Sequence, residues 1–413
     1  MSPAAWSLIA FLVAVLLSCT SRINVGVLGL GLAWVLGWKA GGLKPEAIAA
    51  GFPSMLLLTL VGVTLLFALA EQNGTLEGIA RRALGALKDP RFVPPLIFLL
   101  GAVLSGIGPG AVAATALMAP VATAIGLRSG ASAFLVALMI ANGANAGNLS
   151  RLSAVGIIAR DGMAKAGLVG HEGKVFLANF AAHVLVGGIA WLLLRRQTSA
   201  PAPVVGVESA PAPLTVAQRL TLAVLVGWVG GTLGFGLPVG FAAFAAACVL
   251  ILARAADESV ALKKIPWAVI VMVTGMTTLV SVLEKTGGMD LVTALLASMA
   301  TGGTVNGAVA FVTGLISTWS STSGVVMPAF LPTSTALATR VGGDPLAVAL
   351  SINVGSSLVD VSPLSTIGAL CVAAVTDPEV ARRLFRSLMI WGLSMIVVGA
   401  LLSQLFAPVV AGW

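Results

Sequence analysis

Two short stretches concentrate the residues of this chain that could do chemistry. GANAGNLSRLSAVG at positions 143–156 and GSSLVDVSPLSTIG at 355–368 place amides, hydroxyls, an arginine and a carboxylate inside long apolar runs. Asp360 is the costliest of them, because a carboxylate held among apolar residues at membrane depth is expensive and by default marks function. It reads as a cation ligand or a proton carrier, with a structural ion pair or a helix end nearer the surface as the alternative. Arg151 is its counterpart, since a guanidinium can hold a carboxylate through two hydrogen bonds; it could equally pair with Asp360. The surrounding hydroxyls, amides and freed carbonyls suit a hard cation such as Na⁺, and exposed amides at helix starts suit a carboxylate.

These two stretches are copies of one another. Pro120 to Gly156 aligns without a gap on Pro332 to Gly368, at an offset of 212 residues, with 14 of 37 pairs identical. In that register Asn148 corresponds to Asp360, Ser150 to Ser362, Arg151 to Pro363 and Ser153 to Ser365. Upstream, AEQNGTLE (70–77) matches LEKTGGMD (283–290) after a one-residue shift, so Glu71 corresponds to Glu284. The duplication therefore extends over each half of the chain.

Composition sets the class of element that positions these residues. Of the 413 residues 58% are hydrophobic and 9% charged, and apolar runs long enough to cross a bilayer recur throughout, as in a polytopic all-α membrane protein. The net charge of +8 is read as lysines and arginines gathered in cytoplasmic loops, with the lipid bilayer and not a nucleic acid as partner. Cys19, Cys248 and Cys371 lack metal-like spacing and read as small core residues. The opening run ending in LLSC has no Lys or Arg before it, which favours a retained first helix over a cleaved signal.

Each half is expected to hold three scaffold helices, a short amphipathic stretch, a hairpin, a broken helix and a final helix. The first repeat covers 1–196, with scaffold 4–70, hairpin 92–127, broken helix 131–166 and final helix 174–195. A Pro/Ala-rich cytoplasmic linker covers 197–215. The second repeat covers 216–413, with scaffold 216–283, hairpin 303–340, broken helix 345–376 and final helix 382–408. The hairpins read as re-entrant because each arm is short and each centre is rich in Gly, Pro, Ser and Thr. Five crossings per half, about ten in all, force the second repeat to be inverted. Fifteen basic residues on one side against seven on the other place both termini outside.

Inverted repeats broken at matching positions are the sequence signature of a secondary transporter that binds its cargo where the breaks meet. The candidate substrate set is Gly108, Pro109, Gly110, Asn145, Ser150, Arg151, Ser153, Ser321, Thr322, Ser323, Ser362, Pro363, Ser365 and Thr366. The candidate Na⁺ set is Ser105, Gly108, Asn142, Asn145, Asn148, Ser317, Ser320, Asn353, Ser356, Ser357 and Asp360. Glu71 and Glu284 read as interfacial caps, and His171 and His183 as surface and core filling. An enzyme is disfavoured because the chain has no HExxH, no GxSxG and no paired midplane aspartates; no cofactor is expected apart from a coupling ion. A channel is disfavoured by the duplicated hairpins.

INVGVLGLGLAWVLG (24–37), GFPSMLLLTLVGVTLLFALAEQNGTLE (51–77), SGIGPGAVAATALMAP (105–120) and NGANAGNLSRLSAVGII (142–158) resemble the N-terminal half of the MatC-type malonate/dicarboxylate carriers. These belong to the ion transporter superfamily that also holds the divalent anion:sodium symporters; in the second half the likeness rests on the hairpin and VDVSPLSTIGAL. The resemblance implies Na⁺-coupled import of a malonate-like dicarboxylate across a bacterial inner membrane, by a homodimer whose hairpins, broken helices and final helices move like an elevator. Carriage of another anion with H⁺ is the runner-up. The symporters' Ser-Asn-Thr tip motif falls on Gly110-Ala111-Val112 and Thr322-Ser323-Gly324 and is kept in neither copy. The amides of Gly108 and Gly110 and the hydroxyls of Ser320, Ser321, Thr322 and Ser323 would have to replace it, and Ser150-Arg151 stands where the family tends to have Ser-Pro.

Overall fold

Membrane burial removes water as a partner for backbone groups, so apolar runs of this length satisfy their N–H and C=O groups within helices. The computed structural model describes residues 1–21, 23–85, 89–195 and 213–413, and its regular elements there are all helical. The first half holds α1 (Pro3–Thr20), α2 (Val25–Val35) prolonged by a π-helical turn to Ala40, the short α3 (Pro45–Ala49), α4 (Ser54–Gln72) and α5 (Thr75–Gly85). It continues with α6 (Val93–Gly106), α7 (Gly110–Arg128), α8 (Ala133–Gly147), α9 (Ala154–Lys165) and α10 (Glu172–Leu194).

The second half repeats this order. It runs α11 (Val216–Gly234), α12 (Val239–Leu252), α13 (Glu258–Lys264), α14 (Trp267–Thr286), α15 (Gly288–Ser298) and α16 (Val305–Trp319). The partner of α7 is here divided into α17 (Met327–Phe330) and α18 (Ser334–Val341), followed by α19 (Pro345–Leu358), α20 (Thr366–Ala373) and α21 (Pro378–Gly412). Caps recur with the register: Ser132 accepts from the Leu135 N–H to start α8, and Asp344 accepts from the Ala347 N–H to start α19.

Eight helices among the described residues are long and apolar enough to cross a membrane, and the chain is a multi-pass membrane protein. One of the eight corrects the expectation of short hairpin arms. Helix α7 runs 19 residues straight through Pro120, because GAVAATALMAPVATAIGLR is rich in alanine, the best helix former, and a single proline is tolerated in a membrane helix. In the second copy Pro328 and Pro332 together do break the arm, since two missing N–H groups lie one turn apart. Of the expected linker, the part up to residue 212 lies outside the described residues, as do Arg22, Lys88 and Arg196 of the basic tally.

The opening helices of the two halves interlock. Helix α2 packs on α14 and α12 on α4, each pair brought close by a glycine: a Cβ at Gly26 would stand 2.0 Å from the Val271 carbonyl oxygen, and one at Gly240 2.5 Å from the Thr59 Cα. The later helices form a second group, in which α6 packs on α8 and α8 on α10, and likewise α16 on α19 and α19 on α21.

Both breaks turn the chain so sharply that the next helix starts against the carbonyl just left behind. A Cβ at Gly156 would lie 1.9 Å from the Ser150 oxygen, and one at Gly368 2.1 Å from the Ser362 oxygen. Gly156→Ala and Gly368→Ala are each expected to destabilise by about 1–3 kcal/mol, as overpacking against backbone does. Thermal unfolding in detergent checks this, with Gly31→Ala, which faces open space, leaving the melting temperature unchanged or slightly raised.

Candidate functional site

In the first half the hairpin tip is bonded to the broken helix. Helix α6 stops at Gly106, and the turn through Gly108 and Pro109 delivers the chain to Gly110, whose φ of +80° suits a residue without a side chain. The Ala111 N–H then donates to the Asn148 Oδ1 (2.9 Å), and the Ala154 N–H donates to the Gly108 carbonyl (3.0 Å). The Ser150 hydroxyl donates to the Gly106 carbonyl. Around this junction the hydroxyls of Ser105 and Ser153 and both polar side-chain atoms of Asn145 are buried without partners. Ser153 sits at the N-cap of α9 yet makes no side-chain cap, and Arg151 beside it is exposed.

The second half builds the same junction from different groups. The hydroxyls of Ser317 and Thr322 lie within hydrogen-bonding reach of each other and of the Ser356 carbonyl, at 2.9 and 3.3 Å from it, and share their two protons among these contacts. Thr322 stands beside the Asp360 carboxyl group, which is 9% exposed. Ser365 donates to the Asp360 carbonyl (2.5 Å) and accepts from the Gly368 N–H (3.3 Å), so α20 is capped where α9 is not. The short turn holding Asp360 packs against α8, which brings the second break to the first half. Asp360 and Arg151 do not pair: neither belongs to any ion pair among the described residues.

Several candidates face elsewhere. The Ser320 hydroxyl donates to Ser18 Oγ on α1 (2.9 Å), and Ser321 caps the Gly324 N–H (3.0 Å), leaving Ser323 half-buried at the tip. Ser356 contributes its carbonyl, because its hydroxyl turns back to the Ile352 carbonyl (2.6 Å). Asn353 donates to the Ala349 carbonyl (3.0 Å) beside the Met163 sulfur, with its Oδ1 unpartnered. Ser362 accepts from the Leu364 N–H (3.3 Å), Pro363 is buried and Thr366 exposed. Glu71 pairs with Lys264 (2.8 Å) and makes no cap, and the Glu284 side chain is exposed. His171 occupies the N-cap position of α10 without a side-chain cap.

Asn142 and Ser357 belong to a network that the sequence reading missed by treating His183 as filler. His183 Nδ1 meets Asn142 Oδ1 (3.0 Å) and Nε2 meets Ser357 Oγ (3.4 Å). The Ser357 hydroxyl donates to Asn179 Oδ1 (2.6 Å), and Asn179 Nδ2 donates to the Asn145 carbonyl (2.7 Å). All four side chains are buried, and the network ties α8 and α10 of one half to α19 of the other. The available signal was the spacing of Asn179 and His183, one helical turn apart on one face of an apolar helix. Ser357→Ala strips Asn179 of its donor and is expected to cost about 1–3 kcal/mol in thermal unfolding. Ser351→Ala, equally buried but bonded only to the Ala347 carbonyl of its own helix, is expected to change the melting temperature little.

Each tip is also pressed on the opening group of helices. A Cβ at Gly108 would run into the Phe67 ring of α4, and one at Gly324 would lie 2.2 Å from the Met272 sulfur of α14. Phe67 is held edge-on by Trp228 at 5.8 Å between centroids. The cleft between α4 and the first tip, bounded by Phe67 and Pro109, measures about 30 Å³. That is room for a water.

The fold that carries these residues is shared with solved transporters. The Neisseria gonorrhoeae MtrF, of a class described as antimetabolite efflux pumps, matches with a TM-score of 0.61 at 12% identity over 98% of this chain and 95% of that one. The Alcanivorax borkumensis YdaH transporter matches with a TM-score of 0.57 at 17% identity over 94% of this chain and 97% of that one. The chain thus has the fold of these multi-pass transporters. Residues 1–148 match the family described as dicarboxylate carrier protein MatC N-terminus, which upholds the resemblance over that part. No curated protein matches the sequence.

Proposed function

We propose that the protein is a secondary active transporter that imports a small, malonate-like dicarboxylate coupled to Na⁺. The observation that carries this reading is the pair of unlike junctions between hairpin tip and broken helix. The second junction gathers the hydroxyls of Ser317 and Thr322, the Ser356 carbonyl and the Asp360 carboxyl group, an all-oxygen set with one negative charge that fits a hard monovalent cation. The first junction offers the opposite sign: the start of α9 lacks a side-chain cap and lies beside the exposed Arg151. The buried, unpartnered Asn145 and Ser153 side chains at this first junction supply hydrogen bonds for a bound carboxylate or for its ion. The match of residues 1–148 to the MatC N-terminus supports a dicarboxylate as cargo.

The movement we propose is an elevator. The hairpins, broken helices and final helices of two inverted repeats travel together past the interlocked opening helices, with the Gly108–Phe67 and Gly324–Met272 contacts as the surfaces that slide. The homodimer, the bacterial inner membrane and the outside position of both termini belong to the same proposal.

Uptake into proteoliposomes tests it. Radiolabelled malonate is expected to accumulate under an inward Na⁺ gradient and not under an H⁺ gradient alone; no substrate-dependent uptake under either gradient contradicts the reading, and uptake driven by H⁺ alone reassigns Asp360 to carrying a proton. Arg151→Gln is expected to raise KM for the dicarboxylate roughly ten- to a hundredfold, the worth of a charge-assisted hydrogen bond. Asp360→Asn is expected to abolish the dependence of uptake on Na⁺ concentration, and unchanged Na⁺ dependence excludes it as a ligand.

A further inference from the structure

Away from both breaks, the basic end of the first hairpin carries two neighbouring cavities with two wall residues in common. The outer one, about 560 Å³, opens where the start of α6, the turn from α7 to α8 and the end of α10 come together, and Arg91, Ser129, Trp191 and Arg195 line it. The Arg195 guanidinium lies over the Trp191 ring at 5.5 Å, and neither Arg91 nor Arg195 belongs to an ion pair among the described residues. Asp89, two residues before Arg91, spends a carboxylate oxygen on the Arg91 backbone N–H (2.9 Å). The inner cavity, about 270 Å³, shares Phe92 and Trp191 with the outer and is otherwise lined by apolar residues such as Phe98, Met139 and Val184. From Trp191 to Val184 it follows α10 for seven residues. That is a depth of about 10 Å at the helical rise.

We propose that this pair of cavities is a binding site for an anionic phospholipid, its phosphate held between Arg91 and Arg195 and one acyl chain laid in the slot along α10. Two guanidiniums at a mouth supply bidentate donors for a phosphodiester, and the tryptophan beside them is the amphipathic residue suited to headgroup level. Basic pockets between membrane helices on the cytoplasmic side recognise such headgroups. A soluble anion would use the mouth and leave the apolar slot without purpose; a basic cavity set against an apolar one across Phe92 and Trp191 is what selects a lipid. The site spans α6, α8 and α10, so its occupant would stiffen the base of the hairpin whose tip meets the first break.

Native mass spectrometry of the purified protein, titrated with phosphatidylglycerol or phosphatidylcholine, tests the assignment. One phosphatidylglycerol is expected to bind in preference to phosphatidylcholine, and roughly thirtyfold more weakly in the Arg91→Gln/Arg195→Gln double variant, the joint worth of two surface arginines. Gly188→Leu, at a lining position where an added Cβ meets nothing within 4 Å, extends a side chain from the wall of the slot and is expected to lower binding with both arginines intact. Equal binding of the two lipids, an unchanged adduct in both variants, or displacement by free glycerol phosphate at concentrations comparable to the lipid's overturns the proposal.

Discussion

A helix that stops inside a bilayer frees backbone N–H and C=O groups that no water can satisfy, and each left alone costs several kcal/mol. The rest of this structure depends on how that demand is met at residues 148–153 and 359–365. The answer at each break is a hairpin brought up alongside: the Gly106 and Gly108 carbonyls take the Ser150 hydroxyl and the Ala154 N–H, and Asn148 takes the Ala111 N–H. On the other side Ser317 and Thr322 take the Ser356 carbonyl. A tip cannot leave its break without stranding these groups. Hairpin and broken helix are thus bonded to each other at each break, and each tip also packs on Phe67 or Met272.

The same register that copies the scaffold also shows where the halves part company. Cap positions, the glycines behind each break and the paired serines at 150 and 362 are kept, because they serve backbone geometry. Among the pairs that diverge at the breaks are Asn148 against Asp360 and Arg151 against Pro363. A neutral amide suffices where the task is to hold a tip amide, and a carboxylate is worth its desolvation only where a positive ligand or proton can share the site. Ser153 leaves α9 without a side-chain cap while Ser365 caps α20, so of the two breaks only the first keeps a helix start without one.

Much of the helix order was legible because apolar run length, capping residues and Gly/Pro punctuation are local signals. The contrast between α7 and its divided counterpart is not legible from Gly, Pro, Ser and Thr content, because alanine's propensity carries α7 through its proline. Residue positions at the breaks were legible as a zone, but which way each hydroxyl turns was not. Ser320 joins Ser18 on α1, and Asn142 and Ser357 join His183, because rotation about a helix axis and contacts hundreds of residues apart decide those partners. A register between halves says which residues are equivalent, not which face each other.

The most direct measurement is a density map of the protein in lipid with malonate and Na⁺ bound. Na⁺-coupled dicarboxylate binding at the breaks predicts an anion between Arg151 and the start of α9, and a cation among Ser317, Thr322 and Asp360. An anion seated away from both breaks, or a cation site that leaves Asp360 unliganded, would contradict it.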